Sequence, residues 1–411
     1  MKILMVVHTA LFPAESGAVK RNLHLLLEAA REHALSLLIL GAGHDLQGFR
    51  REFGGVADPV MVVDTGNLGW RRALRGIAYI LSGKSWFRQW DLKSVQHAID
   101  TLCGEHVPDL VHLSTPFFRM FRFPPGVPVV ADAHNVEHDN LRRIARDTRS
   151  LFRKAFSLAL AWRLRSEEVS CASRCDTILA SSERDRDLFL TMAPKTPVTV
   201  VPNGVDLSAF IPRGLERGPR SLVFTGVMNY TPNDEAMRKF VRQCFPRLVA
   251  SVPDVRLTIV GAYPSRAIRN LASDRIRVTG HVPDVRPFLE RAEVFVAPLN
   301  SGGGTRLKIL EAIAMGTPVV STSIGCEGLR LRDGEHMLVA DSPESFVQAV
   351  LRLFRDPELR AGLAARALDT VRRLYGWDHA GENLLRAYES FRVPQGRGDR
   401  IGVGSRRLIE G

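Results

Sequence analysis

With 411 residues, 45% hydrophobic and 24% charged, the chain has the make-up of a globular protein of two or three domains of about 150 residues each, which excludes collagen-like and largely disordered classes. The formal charge of +12 favours polyanionic partners such as phosphorylated substrates or anionic lipid; nucleic acid is not expected, because no zinc-finger, RRM or KH signature accompanies the charge. No apolar run approaches the ~20 residues of a membrane span, and five scattered cysteines, Cys103, Cys171, Cys175, Cys244 and Cys326, give no disulfide framework, so a reduced cytoplasmic protein is expected.

The opening apolar run, residues 3–7, stops at His8, too soon for the core of a signal peptide, and residues 2–7 read as a buried strand. Strands are predicted next at 35–40, 59–64, 109–114, 128–133, 176–181 and 198–202. Their near-continuous hydrophobicity fits a parallel sheet covered on both faces. Helical periodicity is clearest at 19–31, 95–103 and 141–170. Gly41-Ala42-Gly43 is only a fragment of a dinucleotide fingerprint, so NAD is not expected. Pro202-Asn203-Gly204-Val205-Asp206 is strong turn chemistry, and a Pro/Gly/Arg-rich stretch at 211–220 reads as a linker.

A second alternating series follows, with strands predicted at 221–225, 256–260, 276–279, 294–297, 318–321 and 337–339. Helices are predicted at 234–250, 285–292, 306–315, 343–354 and 357–375. From residue 393 the Gly/Arg-rich sequence loses periodicity, and a disordered tail is expected. Two doubly wound α/β halves would face each other across a cleft, with ligands bound beyond the carboxyl ends of their strands.

One such loop is rich in chemistry: Ser301-Gly302-Gly303-Gly304-Thr305-Arg306-Leu307-Lys308, with Glu311 following, stands between a predicted strand and a predicted helix. Glycines allow close backbone approach, a helix amino end offers free N–H groups to an anion, and Arg306 and Lys308 add cations. Glu311 can accept from hydroxyls, so the segment suits a diphosphate followed by a ribose. It is not a P-loop, since GxxxxGK[ST] is absent.

The run GGGTRLKILEAIAMGTPVVST followed by Gly325-Cys326-Glu327-Gly328 resembles the signature of GT-B glycosyltransferases, specifically the large retaining family 4. Pro202–Asp206 resembles its hinge, and Phe224-Thr225-Gly226 with Pro232-Asn233 the first strand and loop of its second domain. Ile259-Val260-Gly261 and Val278-Thr279-Gly280-His281-Val282 resemble the next two loops. Gly17 after Phe12-Pro13, and Asp132-Ala133-His134-Asn135, resemble the glycine and histidine loops of the first domain.

The resemblance implies an acceptor-binding Rossmann-like domain at 1–202 and a nucleotide-sugar domain at 203–375. It further implies a helix at 376–392 returning to the first domain, ahead of the basic tail 393–411. A UDP- or GDP-sugar would be the donor, a glycan or lipid-linked hydroxyl the acceptor, and no cofactor or metal would be needed. The implied role is retaining hexosyl transfer in cell-envelope or exopolysaccharide synthesis.

Carried over by position, Gly303, Gly304 and Thr305 would hold the phosphates, with Gly17 closing from the other side, and Glu311 the ribose. Arg306 or Lys308 would stabilise the leaving group, and His134 would sit near the donor sugar. Gly226 and Asn229 would border the donor, and His281 and Val282 would flank the base. Two departures stand out: many relatives have a glutamate eight residues before Glu311, where this chain has Gly303, and many carry cations in the loop that here reads Gly226-Val227-Met228-Asn229-Tyr230.

Two other functions are weighed. One is a nucleotide-sugar epimerase of the same fold; the other is a zinc hydrolase, because His134-Asn135-Val136-Glu137-His138 fits H-x-x-E-H. The basic charge concentrates at 70–90 and 141–165 among aromatics, including Phe152, Phe156 and Trp162. Such stretches serve either as membrane-surface helices, giving a peripheral hold on the inner face of the cell membrane, or as solvated faces over ordinary core helices.

Overall fold

The computed structural model describes residues 1–8, 11, 16–41, 46–65, 79, 92–105, 107–147 and 150–392. The basic segment 70–90 apart from Tyr79, Ala42-Gly43, Phe12-Pro13 and the tail 393–411 lie outside the described residues.

Strands β1 (Lys2–Val7), β2 (Ala34–Leu40), β3 (Val60–Val63), β4 (Leu110–Leu113), β5 (Val129–Ala133), β6 (Thr177–Ala180) and β7 (Val198–Val200) form one sheet, ordered β3-β2-β1-β4-β5-β6-β7. A second sheet, ordered β10-β9-β8-β11-β12-β13, holds β8 (Ser221–Thr225), β9 (Arg256–Val260), β10 (Ile276–Val278), β11 (Val294–Ala297), β12 (Val319–Ser321) and β13 (Leu338–Val339). Every ladder is parallel. Strands β4, β5, β6 and β11 are buried along their whole length, which is why their sequences are mostly apolar and do not alternate with exposed positions.

Both halves thus have the doubly wound Rossmann arrangement, and together they make the GT-B fold. The order reverses between β1 and β4 in one sheet and between β8 and β11 in the other, and ligands bind at such reversal points. The predicted strands hold to within two residues. Pro59, Pro128 and Pro318 stand just outside strands rather than inside, since proline gives the ladder no donor.

The helices depart more. The helix predicted at 141–170 is two, Glu137–Asp147 and Leu151–Ala172, the second capped by Ser150, whose hydroxyl accepts from Arg153 N–H. The one predicted at 234–250 breaks into Thr231–Gln243 and Phe245–Ser251, with Pro246 in the first turn of the second piece, where its missing N–H costs nothing. Helices Leu46–Phe53 and Glu183–Met192 fill gaps between predicted strands for which the sequence gives no helix bounds. The latter starts at Ser182, whose side chain accepts from Asp185 N–H, a start signal of the S-x-x-acid kind.

The last described helix, Trp377–Glu389, crosses back onto Gly17–Ala30. Trp377 stacks on His24 with centroids 4.5 Å apart, and Tyr388 Oη lies 2.6 Å from His112 Nδ1 in β4. Gly204 is required at the hinge: a Cβ there would fall 2.8 Å from the Trp377 ring. One apolar core accordingly runs from Val7 and Leu25 through Val205 to Phe295 and Leu310. No helix among the described residues is long and apolar enough to cross a membrane.

Candidate active site in the interdomain cleft

The loops after β1, β5, β8 and β11 meet around a cavity of about 1160 Å³. On its C-terminal-domain side, the loop after β11 turns through Gly302 (φ 110) and Gly304 (φ 65), conformations that a side chain makes costly, and runs into helix Leu307–Ala314. That helix has no side-chain cap, so its amino end, where Leu307 and Lys308 line the cavity, keeps backbone N–H groups without a capping partner.

Lys308 sits 4.2 Å over the Phe224 ring and donates to Asn233 Oδ1 at 2.7 Å. Burial, with repulsion from Arg306 added and Glu311 opposing, pushes its ammonium down to about 7. Gly226 leaves room for it, since a Cβ there would lie 2.5 Å from Nζ. Two cations at the positive end of a helix work against its dipole, a placement that a bound anion would relieve.

Arg306 departs from the expectation of two cations in the helix's first turn. It is the extended residue just before the helix, and its Nη1 donates to the carbonyls of Gly303 and Gly304. Burial lowers its pKa, and its Nη2 is buried without a hydrogen-bond partner among the described residues. Arg306 therefore braces the glycine loop, and Lys308 is the cation that projects into the cavity from the helix.

The facing wall belongs to the N-terminal domain. Gly17 opens helix Gly17–Ala30 against Leu307, whose Cδ1 would lie 3.3 Å from an added Cβ. One turn on, Lys20 forms an ion pair with Glu311 across the cleft. Arg21, 1% exposed, grips the fully buried Asp132 through Nε (2.8 Å to Oδ2) and Nη2 (2.6 Å to Oδ1).

His134 Nε2 lies 3.1 Å from Asp132 Oδ2 and 3.0 Å from Asn22 Oδ1. Burial opposes the Asp132 charge, but Arg21 and His134 outweigh it and hold the carboxyl far below the ordinary carboxylate range. Glu137, also on this wall, is shifted upward by burial and by the nearby Glu168. The two walls are tied outside the cavity as well: Glu327 accepts from Arg143 at 2.5 and 3.0 Å.

The structure brings every sequence-predicted site residue to this one cavity: Gly17, His134, Gly226, Asn229, His281, Val282, Gly303, Gly304, Thr305, Arg306, Lys308 and Glu311 all line it. The two histidines of the H-x-x-E-H pattern part company. His134 ends β5, whereas His138 is buried in helix Glu137–Asp147 with Nδ1 2.7 Å from Glu168 Oε2. Among the described residues no group of three His, Cys, Asp or Glu could hold a metal ion.

The structure also explains Gly303: a Cβ there would come 2.9 Å from Asn135 Oδ1, so the neighbouring domain fills the space of a side chain. Residues that sequence reasoning missed include Lys20, Arg21, Asn135, Glu137 and Asn203. A signal existed for Arg21, which stands one turn before the buried Leu25 on the apolar stripe of its helix.

Both halves of the chain are similar to known proteins. Residues 16–209 match the family described as Glycosyltransferase Family 4, and residues 219–356 match Glycosyl transferases group 1. A phosphatidyl-myo-inositol mannosyltransferase of Mycolicibacterium smegmatis is 31% identical over 201 residues, 46% of this chain and 51% of that protein. The chain thus spans about half the length of this relative.

A sucrose-phosphate synthase structure from Thermosynechococcus elongatus superposes with TM-score 0.69 at 15% identity, covering 95% of this chain and 98% of that one. Anabaena HepE in complex with UDP gives 0.67 at 14% identity, covering 95% and 100%.

Proposed function

We propose that this chain, a GT-B glycosyltransferase by fold and by the family matches over both its halves, moves a hexosyl group from a nucleotide-diphosphate sugar to an acceptor hydroxyl, with retention at the anomeric carbon. The observation that carries this reading is the uncapped amino end of helix Leu307–Ala314, which brings the Gly302–Gly304 turns, Lys308 and Glu311 to one side of the cleft facing Gly17. Backbone N–H groups and the Lys308 ammonium would bind the diphosphate and take up the charge that grows as the glycosidic bond breaks. Glu311 would exchange its Lys20 partner for ribose hydroxyls. His134, with Nε2 held by Asp132 and Asn22, would hydrogen-bond a sugar hydroxyl.

The diphosphate oxygen would assist the acceptor's deprotonation, and with the helix end and Lys308 neutralising the leaving group the transfer would need no metal. A UDP- or GDP-sugar fits the likeness to HepE in its UDP complex. A lipid-linked acceptor in envelope or exopolysaccharide synthesis fits the likeness to a phosphatidyl-myo-inositol mannosyltransferase.

A membrane-held acceptor would also suit helix Leu151–Ala172. Leu151, Phe152 and Trp162 are 83%, 79% and 71% exposed there, and Arg153, Lys154 and Arg165 are exposed around them. Phe156, by contrast, turns inward onto Leu160 and Leu164. This outward face would lie on the anionic inner surface of the membrane.

Incubation with UDP- and GDP-sugars in EDTA, with and without lipid-linked acceptors, tests the reading. Acceptor-dependent nucleotide release and a product of retained configuration support it. Altered sugar stereochemistry without transfer would establish an epimerase instead, and activity lost to chelation and restored by zinc would replace the assigned role of His134.

A further inference from the structure

A run of buried hydrogen bonds leaves the cavity on one wall and returns on the other. His134 contacts Asp132, Asp132 is gripped by Arg21, and Arg21 Nη1 donates to Asn203 Oδ1 at 3.0 Å. Asn203 Nδ2 then donates to Thr305 Oγ1 at 2.6 Å. Asp132 is 0%, Arg21 1%, Asn203 7% and Thr305 8% exposed, so these four links are buried. Buried polar groups of this kind hold one another to a single geometry, because a lost partner leaves a donor or acceptor unpaired.

The path also crosses the hinge. Arg21, Asp132 and His134 belong to the first sheet and its helices, Asn203 lies in the Pro202-Asn203-Gly204 turn, and Thr305 ends the loop after β11. Arg21 suits the junction because its planar fork serves two acceptors at once, which a lysine ammonium on a flexible stem does not.

We propose that Arg21 and Asn203 are positioning residues that set the histidine of one domain and the phosphate loop of the other in a single arrangement, so that neither can shift alone. Asn203 touches the Arg21 fork and the Thr305 hydroxyl at opposite ends of its amide, and removing that amide uncouples the walls while Asp132 keeps its arginine. The inference builds on the transferase reading, but its first test does not need turnover.

In the full, ligand-free chain, Asn203→Ala is expected to move the imidazole 1H–15N signals of His134, identified by their loss in His134→Ala, although Asn203 and His134 share no contact. Thermal unfolding checks that the variant is folded, and Arg21→Lys, which keeps the charge beside Asp132, should move the same signals. Unmoved His134 signals in a folded Asn203→Ala protein overturn the proposal.

With an active donor and acceptor, Asn203→Ala and His134→Ala should each lower kcat at least tenfold, and the double variant should be within about threefold of the worse single one. Losses that multiply to a hundredfold or more would mean that the two act independently and would overturn the coupling. Absence of turnover in the unaltered protein would sink the transferase reading and leave the imidazole result to decide the coupling.

Discussion

On the C-terminal side the cavity is lined by backbone at Gly303 and Gly304, the uncapped end of helix Leu307–Ala314, and one lysine whose pKa burial lowers to about 7. On the N-terminal side stand side chains already paired with one another, Arg21 with Asp132 and Asp132 with His134. The first wall still offers an uncapped helix end when empty, whereas the second is paired within itself before anything binds. A site divided in this way takes its affinity from the loose wall and its geometry from the fixed one, since preorganised dipoles need no rearrangement when charge develops.

The contrast breaks most visibly at Arg21. Arg21→Met leaves the Asp132 carboxylate buried without its arginine and with only His134 beside it, a loss on the scale of about 3–5 kcal/mol, so thermal denaturation should show a large fall in Tm or no folded protein. Lys308→Ala, on the loose wall, should leave Tm within a few degrees while lowering kcat by about 100- to 1000-fold, the scale of one lost charge-stabilising donor. Arg306→Ala should also lower kcat, but with weaker nucleotide binding in calorimetry, because its guanidinium holds the Gly303 and Gly304 carbonyls.

Acidity sharpens the same contrast. With Lys308 at about 7, raising the pH above 7 removes the cation, and UDP affinity should fall by up to about tenfold per unit. The terminal phosphate is already ionised in that range, so the slope belongs to the lysine and should vanish in Lys308→Ala. The sign reverses for the empty protein. Between about 7 and the unfolded lysine value of about 10.4 the unfolded chain binds more protons, so denaturant unfolding should show stability rising with pH.

Smaller effects lie at the seam. Gly303→Ala presses a methyl group onto Asn135 Oδ1 and should cost about 1–3 kcal/mol of stability, most of it recovered with Asn135→Ala. The least change in catalysis is expected for Phe152→Ala with Trp162→Ala. That pair should keep turnover of a water-soluble acceptor but reduce co-sedimentation with anionic vesicles.

The sheets were legible because parallel strands buried on both faces leave uninterrupted apolar runs, as in Leu35–Leu40 and Val294–Ala297. Helix ends were less so: the predicted 141–170 helix restarts at Ser150, where a capping side chain overrides continuous periodicity. The C-terminal wall of the site was readable from a glycine run before a helix, since its chemistry is local in sequence. On the opposite wall only Gly17 and His134 were, because Arg21, Asp132 and Asn203 lie 111 and 182 residues apart in their pairings and only the fold brings them together.

The return of helix Trp377–Glu389 to Gly17–Ala30 has a consequence for biogenesis. While the polypeptide is still being translated, the outer surface around His24 and the His112 imidazole must wait for Trp377 and Tyr388 to emerge from the ribosome. The first-made sheet, complete at Val200, therefore stays incompletely covered until Trp377 and Tyr388 have been added, and its final closure is an event shared with the second domain.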